Sequence, residues 1–270
     1  MPDPRVVHGV GGLDRPDERI AVSVGVFDGL HRGHAHLLAA LADAAAEWRA
    51  RPAVVTFDAH PDSVLQGEAP PLLLDPAERL ERIAEAGIAI LVVEHFDDRL
   101  RTTPYDAFVR SIASRAELAG FVMTPESAFG HERRGTPDAV AALGREIGYE
   151  VEVVPPLLVD GRSVSSSTIR KLVATGDLEA AAELLGRAYA VVGHIDPDGR
   201  MAFPLPVALP PDGEYAASIR GRRVTLTIDG SGVTVDRGGD DSTARVRVVF
   251  GSPELAALPD RASAGTIRRS

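Results

Sequence analysis

The sequence contains no cysteine in its 270 residues. Disulfide bonds, thiolate metal sites and a cysteine nucleophile are therefore excluded. No stretch approaches the roughly 18 consecutive apolar residues that a membrane span needs, and charged residues interrupt the first twenty positions too often for a signal peptide. We expect a protein that acts in the cytoplasm and does not bind membranes.

Positive charge is also scarce. The chain has 29 basic residues against 39 acidic ones, a net charge of -10, and this average field would repel the backbone of a nucleic acid. We therefore expect no nucleic-acid partner, whereas small-molecule substrates that carry phosphate need only a local positive site. The sequence does not indicate an oligomeric state.

Short β-branched runs alternate with longer helical patterns between residues 20 and 186. This alternation is typical of parallel strands joined by crossover helices, and it predicts a doubly wound, Rossmann-like α/β domain. The predicted strands are 20–26, 53–57, 88–94, 120–123 and 150–154. The predicted helices are 33–49, 76–86, 104–117 and 137–147.

Beyond Gly186 the pattern changes to short β-rich segments separated by turns, which predicts a small antiparallel β domain, either an open sheet or a barrel. A helical hairpin, 166–174 and 177–185, precedes it. We thus expect two domains, 1–186 and 187–270, with a partly disordered tail from residue 252. The predicted β segments are 188–195, 214–219, 223–228, 232–235 and 244–250.

The first predicted strand leads directly into a glycine-bearing turn and then into a helix. Residues 25–34 read Gly-Val-Phe-Asp-Gly-Leu-His-Arg-Gly-His, and ligands of open α/β sheets bind where strands end in this way. Glycines allow close approach to the backbone, the helix start offers free N–H groups to a phosphate, and His31 and His34 can converge on one polyphosphate. The nucleotide-binding residues predicted here are Gly25, Phe27, Asp28, Gly29 and Gly33.

Two other interpretations of these histidines stay open at this point. They can be solvated turn residues, or they can join His36 in a zinc site, although thiolates and the glutamate spacing of zinc hydrolases are missing. The sequence alone does not identify a metal ligand.

A second segment, residues 164–171, reads Val-Ser-Ser-Ser-Thr-Ile-Arg-Lys and opens a predicted helix. Serine and threonine normally cap a helix start, which is a sufficient structural explanation. Four hydroxyls together with the Arg170 guanidinium exceed what a cap needs, however, and they suit a triphosphate. We predict a catalytic role for Arg170 and nucleotide binding by Ser165, Ser166, Ser167 and Thr168.

A third segment, residues 56–61, reads Thr-Phe-Asp-Ala-His-Pro and ends the second predicted strand. It therefore lies on the same edge of the sheet as the first motif. Asp58 or His60 can orient a substrate phosphate or hold a hydrated Mg2+. The structural alternative is a strand-ending turn that the aspartate caps.

Together the three segments resemble the adenylyltransferase half of the bifunctional bacterial riboflavin kinase/FAD synthetase family, over residues 20–190. The first two family elements are Gly-x-Phe-Asp-Gly-x-His-x-Gly-His, met by 25–34, and Thr-Phe-x-Pro-His-Pro, met by 56–61 with Ala59 in place of a proline. The third, Ile-Ser-Ser-Thr-x-Ile-Arg, is met with two substitutions by 164–170.

A fourth family element departs further. The family has Gly-x-Asp-Phe-x-Phe-Gly after the fourth strand, and residues 124–130 read Thr-Pro-Glu-Ser-Ala-Phe-Gly. Glu126 keeps the carboxylate, while Ser127 replaces an aromatic residue of the acceptor pocket. The resemblance thus implies acceptor binding by Asp58, His60, Glu126 and Ser127.

The resemblance implies transfer of AMP from ATP to FMN in the presence of Mg2+, which gives FAD and pyrophosphate. In that reaction His31 and His34 would act in catalysis by stabilising the ATP phosphates. The serines of the second segment and Arg170 would grip the leaving pyrophosphate. No covalent intermediate is needed, because positioning and charge stabilisation suffice for such transfers.

The C-terminal part matches the family's riboflavin kinase module less well. That module has a Gly-Phe-Pro-Thr-Ala-Asn element that binds nucleotide and metal, and the aligned residues 199–207 keep Phe-Pro but neither the threonine nor the asparagine. The part is also short. We therefore expect a degenerate module without riboflavin kinase activity.

Two further functions stay open on the sequence alone. The chain can transfer a nucleotide to another phosphorylated acceptor, or from CTP, as the departures at Thr124 and Ser127 suggest. Alternatively it is a non-catalytic flavin or nucleotide binding protein. Retention of both histidines and of the hydroxyl-rich segment argues against the last.

Overall fold

The computed structural model describes residues 4–236 and 244–251, and the predicted tail from residue 252 lies outside them. The described residues form two compact units. The first unit comprises 4–27, 33–70 and 76–157, and the second comprises 28–32, 71–75, 158–236 and 244–251. Within these ranges, no helix has both the length and the apolar character that crossing a bilayer requires.

The first unit is built on six parallel strands: β1 (Arg5–His8), β2 (Arg19–Val24), β3 (Arg51–Phe57), β4 (Ile90–Glu94), β5 (Glu117–Met123) and β6 (Glu150–Val153). They are hydrogen-bonded in the order β1-β4-β3-β2-β5-β6. Strands β3 and β4 lie on one side of β2, and strands β5 and β6 lie on the other. This confirms the predicted doubly wound arrangement. The sequence prediction lacks β1, because this edge strand has only four residues and alternates half-buried with exposed positions.

Six helices accompany this sheet: α1 (Arg32–Glu47), α2 (Asp62–Leu65), α3 (Pro76–Glu85), α4 (Asp98–Arg101), α5 (Tyr105–Ala113) and α6 (Pro137–Ile147). The four longer ones confirm the predicted helices. The start of α6 follows the expected chemistry, since Pro137 stands in its first turn and the Thr136 hydroxyl accepts from the Ala139 N–H. Helices α2 and α4 have one turn each, too short for apolar periodicity to reveal.

A buried arginine links the carboxyl ends of the two central strands β2 and β3. Arg79 in α3 is only 4% exposed, and it donates to the carbonyls of Val26 at 3.1 Å and Phe57 at 2.6 Å. The Thr56 hydroxyl also donates to the Val26 carbonyl. This edge, where the predicted motifs begin, is therefore held by a charged group inside the first unit.

The second unit contains a hairpin of β7 (Leu158–Val159) and β8 (Arg162–Ser163), the helices α7 (Ser166–Ala174) and α8 (Leu178–Leu185), and six further strands. Those strands close into an antiparallel barrel in the order β10-β13-β12-β11-β14-β9. They are β9 (Ala190–Ile195), β10 (Arg200–Ala202), β11 (Gly213–Ile219), β12 (Arg222–Asp229), β13 (Gly232–Asp236) and β14 (Ala244–Phe250). Of the two predicted forms, the barrel is the one present, and the three-residue β10 is an addition.

The helical hairpin belongs to the same unit as the barrel, whereas the sequence suggested a division after residue 186. The reason is a shared core: Ile169, Val173 and Leu185 from the hairpin are buried in one apolar cluster with Tyr189 and the barrel interior. Residues 28–32 and 71–75 also belong to this unit. Part of the first motif is therefore built into the second unit.

We expect Arg79→Met to destabilise the protein by about 3 kcal/mol, because it removes two charge-assisted hydrogen bonds and leaves buried carbonyls short of a donor. Urea unfolding of the full chain, followed by circular dichroism, measures this. The matched control is Arg110→Met on the surface of α5, which breaks an exposed pair with Glu146 and should cost far less, because exposed ion pairs contribute little to stability. Equal, small effects of both substitutions would show that Arg79 does not hold this edge.

Candidate functional site

The loop after β2 has a strained backbone. Phe27 and Leu30 have φ angles of 54° and 33°, in the region that favours glycine, and Gly29 has a φ of 76°. Such conformations persist only where the surroundings enforce them, and they concentrate at functional sites. Phe27 belongs to the first unit and 28–32 belong to the second.

Asp28 anchors the second-unit part of this loop. It is 2% exposed, and its carboxylate accepts from the N–H groups of Leu73 at 3.1 Å and Leu74 at 3.2 Å. The same carboxylate pairs with the Arg170 guanidinium at 2.6 Å, and the Asp28 carbonyl accepts from the Ser166 hydroxyl at 2.9 Å. Asp28, predicted from sequence to bind the nucleotide, thus joins the loop to residues 71–75 and to α7.

The hydroxyl-rich segment contains a helix cap and an arginine that is held by hydrogen bonds. Ser165 caps α7, since its hydroxyl accepts from the Thr168 N–H and lies 3.0 Å from the Thr168 hydroxyl. Ser167 is exposed in the first turn. Arg170, one turn further, also donates from Nε to the Pro71 carbonyl at 2.8 Å. The capping interpretation therefore holds for Ser165, and Arg170 is oriented by two partners.

His31 is the most buried of the predicted catalytic groups, at 4% exposure. Burial, followed by the positive charges of Arg187 and Arg170, lowers its pKa from 6.5 to about 4, although a hydrogen bond with its own backbone acts in the opposite direction. The imidazole is therefore neutral at neutral pH. It therefore adds no positive charge of its own to the group of arginines around it.

Arg187 also lies beside His31, and sequence reasoning missed it. Its guanidinium donates to the carbonyls of Gly29 at 2.6 Å, Leu30 at 3.0 Å and Leu185 at 3.3 Å. A lone arginine after a helix has no pattern that would identify it. We call Asp28, His31, Ser166, Arg170 and Arg187 the His31 cluster. Its two guanidiniums against one carboxylate make a positive site in an acidic protein, which suits a polyanion.

In the first unit, Phe27 organises the other part of the motif. Its ring lies 5.2 Å from that of His34, measured between centroids and tilted by 58°. A side chain at Gly25 would come within 3.0 Å of the Phe27 ring. The packing of Phe27 thus explains the glycine at position 25. The sequence interpretation had explained the same glycine by the approach of a ligand to the backbone. Gly33 is the second residue of α1.

Gly29 likewise meets protein atoms. A Cβ there would lie 3.0 Å from Leu73 Cδ1, within the second unit, and its φ of 76° already disfavours other residues. The positive φ and the tight packing together explain the glycine. Nucleotide binding by Gly29 stays a prediction.

Asp58 and His60 follow β3 and are held by local partners. Asp58 Oδ2 lies 2.6 Å from His95 Nδ1, and Asp58 Oδ1 accepts from the Phe96 N–H. Desolvation raises the pKa of Asp58, but these hydrogen bonds outweigh it and the pKa lies below its usual value. His60 Nδ1 accepts from the Asp62 N–H at 3.2 Å. Asp58 thus connects the turn after β3 to the segment after β4, and its side chain remains 43% exposed.

Glu126 and Ser127 follow β5, which flanks β2 on the side opposite β3. Glu126 is exposed. The Ser127 hydroxyl accepts from the Thr124 N–H at 3.0 Å and lies 2.8 Å from the Thr124 hydroxyl. Since parallel strands end at one edge, the four predicted acceptor-binding residues share the carboxyl edge of the first-unit sheet.

Metal ligands do not gather anywhere in residues 4–236 and 244–251: no three histidine, aspartate or glutamate side chains are grouped so that they could hold an ion. The zinc alternative for His31, His34 and His36 therefore gains no support. Mg2+ commonly needs fewer protein ligands, because it keeps waters and binds substrate phosphates.

The barrel contains a cavity of about 730 Å3. Its polar lining residues are His194, Asp196, Arg200, Ser231, Thr234 and Arg245. These differ from all of the predicted transferase residues, so we place the candidate site on the motifs and not in this cavity.

The chain has clear relatives. A family model described as FAD synthetase matches residues 14–168. The bifunctional riboflavin kinase/FMN adenylyltransferase of Pseudomonas fluorescens is 31% identical over 193 residues, which are 71% of this chain and 62% of that protein. The protein of the same name from Haemophilus influenzae is 26% identical over 193 residues, 71% of this chain and 63% of its own. The match thus spans less than two thirds of the length of either relative.

One solved structure has a similar fold. The crystal structure of a macrolide-efflux protein from Streptococcus pneumoniae has a TM-score of 0.74 and 22% identity, and it covers 93% of this chain and 90% of that chain. At this identity the likeness concerns the fold alone.

The low pKa of His31 makes stability depend on pH. Between about pH 6.5 and about pH 4, His31 is protonated in the unfolded chain and neutral in the folded protein. Stability therefore falls as the pH drops through this window. Across it, the wild-type free energy of unfolding should fall by about 3 kcal/mol more than that of His31→Gln. Denaturant titrations measure the free energy of unfolding of both proteins across this pH range. Subtracting the difference between the two proteins at pH 7.5 removes the effect of the substitution itself. Parallel pH curves would contradict a buried, neutral His31.

Proposed function

The chain belongs to the FAD synthetase family, and from this premise we propose that it is an FMN adenylyltransferase. It transfers AMP from ATP to FMN, releases pyrophosphate and forms FAD. Its substrates are small molecules, and it acts in the cytoplasm without a nucleic-acid or membrane partner. Mg2+ would be held mainly by the phosphates of ATP and by water, and it would neutralise part of their charge.

The observation that carries this proposal is the His31 cluster. His31 is buried at 4% exposure, and this burial together with the positive charges of Arg170 and Arg187 keeps its imidazole neutral. Guanidiniums grouped in this way suit a triphosphate. When it binds, the guanidiniums and the imidazole stabilise charge that grows on the reacting phosphates.

The reaction is a direct displacement. An oxygen of the FMN phosphate attacks the α-phosphorus of ATP and forms the new P–O bond. The bond from that phosphorus to the bridging oxygen breaks, and its electron pair leaves with pyrophosphate. His31 and His34 stabilise the phosphates, and Arg170 with Ser165, Ser166, Ser167 and Thr168 receives the leaving group. Positioning and charge stabilisation are sufficient for such a transfer.

The acceptor is assigned to the carboxyl edge of the first-unit sheet. Asp58, His60, Glu126 and Ser127 follow strands β3 and β5, which stand on either side of β2. The exposed Glu126 and the 43% exposed Asp58 side chain leave acidic oxygens open to a hydroxyl-rich ligand. This supports an acceptor with many hydrogen-bonding groups, and FMN is the one that the family suggests.

The proposal includes the absence of riboflavin kinase activity. The segment aligned with the kinase nucleotide element is tied to other parts of the second unit. Within it, the Pro206 carbonyl accepts from the Leu72 N–H at 2.9 Å. Directly after it, the Ala208 N–H donates to the Leu72 carbonyl at 2.9 Å, and the Ala208 carbonyl accepts from the Tyr189 hydroxyl. These bonds, with the lost threonine and asparagine, support a structural role for the segment.

We expect the purified protein to release pyrophosphate and form FAD from ATP, FMN and Mg2+. In His31→Ala/His34→Ala, turnover should fall by on the order of a hundredfold or more, because donors to the phosphates are lost. The matched control is His36→Ala in α1, which should keep wild-type turnover.

Other results of this experiment decide between the alternatives. Pyrophosphate release only with another phosphorylated acceptor, or only with CTP, would replace FMN or ATP in the proposal. ATP binding without release in any combination would favour a non-catalytic nucleotide-binding protein.

With riboflavin and ATP, we expect no FMN above background. Chromatographic separation of the flavins measures this, and FMN added to a parallel sample shows through FAD formation that the preparation is active. FMN formation at a rate comparable to that of FAD would mean that the barrel still carries kinase activity.

A further inference from the structure

We propose that Arg187 is a positioning residue of the transfer reaction, and that its guanidinium holds loop 28–32 in the conformation that presents His31 to the triphosphate. This inference rests on the proposed function and adds a residue that the motifs do not contain. Arg187 acts through His31 and does not itself contact the substrate.

The hydrogen bonds of Arg187 are directed at the two residues that precede His31. Nη2 donates to the Gly29 carbonyl at 2.6 Å, and Nη1 donates to the Leu30 carbonyl at 3.0 Å. One planar fork thus binds two consecutive carbonyls. A lysine ammonium has the same charge but not this geometry.

The backbone of the loop needs such a partner. Gly29 and Leu30, whose carbonyls Arg187 binds, have the positive φ angles of 76° and 33°. A leucine in this region is strained, and strain of this kind persists only when neighbouring groups enforce it. The two carbonyls and the guanidinium are therefore coupled: without Arg187, the loop is free to relax and to move His31.

The loop also packs directly against the segment that carries Arg187. A Cβ at Gly29 would lie 3.6 Å from Leu185 Cδ2, and a Cβ at Gly186 would lie 3.1 Å from Arg32 Cγ. These contacts all lie within the second unit. The junction between α8 and β9 is thus the surface on which the loop rests.

The backbone at Arg187 is itself fixed by its neighbours. Leu185 and Tyr189 are 3% and 2% exposed, and Tyr189 stacks on Phe250 with ring centroids 5.6 Å apart. Nη1 also donates to the Leu185 carbonyl at 3.3 Å. A side chain that starts from so rigid a position loses little freedom when it binds the loop, which is the condition for precise positioning.

The positive charge of Arg187 also acts on His31. The charged groups that act on His31 are Arg187 and Arg170, and the Asp28 carboxylate is paired with the latter. Burial is the first cause of the low pKa of His31 and Arg187 is the second. Removing the Arg187 charge therefore raises that pKa, whereas a lysine at this position keeps the charge and changes only the fork.

Two substitutions in the full chain separate these effects. In both Arg187→Lys and Arg187→Gln, we expect kcat to fall by about tenfold or more, with KM for ATP changed by less than about threefold, because orientation and not ground-state binding is lost. In Arg187→Gln alone, the acid limb of the pH profile of kcat/KM should move to higher pH. Arg223→Gln on the exposed side of the barrel is the control, and it should match the wild type in all three readouts.

The outcome can contradict the proposal in several ways. Wild-type kcat in either folded variant would overturn it, as would an acid limb that does not move in Arg187→Gln, since a purely structural arginine predicts that result. If the glutamine variant does not fold, the lysine variant decides through its kcat and its KM.

Failure of the proposed function is recognised separately. If the wild type forms no FAD, Arg187 is judged by the pKa of the His31 imidazole, measured by NMR of the 15N-labelled protein, which should rise in Arg187→Gln. An unchanged His31 pKa in Arg187→Gln would overturn the role of Arg187 whatever the activity of the wild type.

Discussion

The pairing of Asp28 with Arg170 is the interaction on which the second-unit part of the site depends. A carboxylate at 2% exposure needs a charged partner and hydrogen-bond donors, and Asp28 has both in Arg170 and the N–H groups of Leu73 and Leu74. This single group connects three stretches of chain that are far apart in sequence. It therefore fixes where the loop before His31 begins and how the Arg170 guanidinium is oriented.

The other members of the cluster follow from this constraint. The strained loop from Asp28 to Arg32 is fastened at its start by Arg170 and in its middle by Arg187, and His31 lies buried beside both guanidiniums. The imidazole is neutral for that reason. A loop held in this way is preorganised, and preorganised groups are what charge-stabilising catalysis, as proposed for this protein, requires.

Sequence reasoning was sufficient for the architecture and for the family, and less so for the roles of single residues. The alternating strand and helix patterns predicted the doubly wound sheet correctly, because long periodic segments bury one face whatever their partners. Asp28 was recognisable as part of a motif, but its burial against residues 71–75 depends on tertiary structure. Sequence reasoning missed Arg79 and Arg187 for the same reason. An isolated arginine has no periodicity, and it becomes significant only through the carbonyls that surround it.

His31 is a neutral, buried group at the proposed polyphosphate site. The most direct test is its pKa by NMR of the 15N-labelled imidazole, with assignment from His31→Gln, in the free protein and with saturating magnesium pyrophosphate. We expect a pKa of about 4 in the free protein and a clear rise when the anion is bound. A titration near 6.5 that pyrophosphate leaves unchanged would contradict both the neutral state and the proposed site.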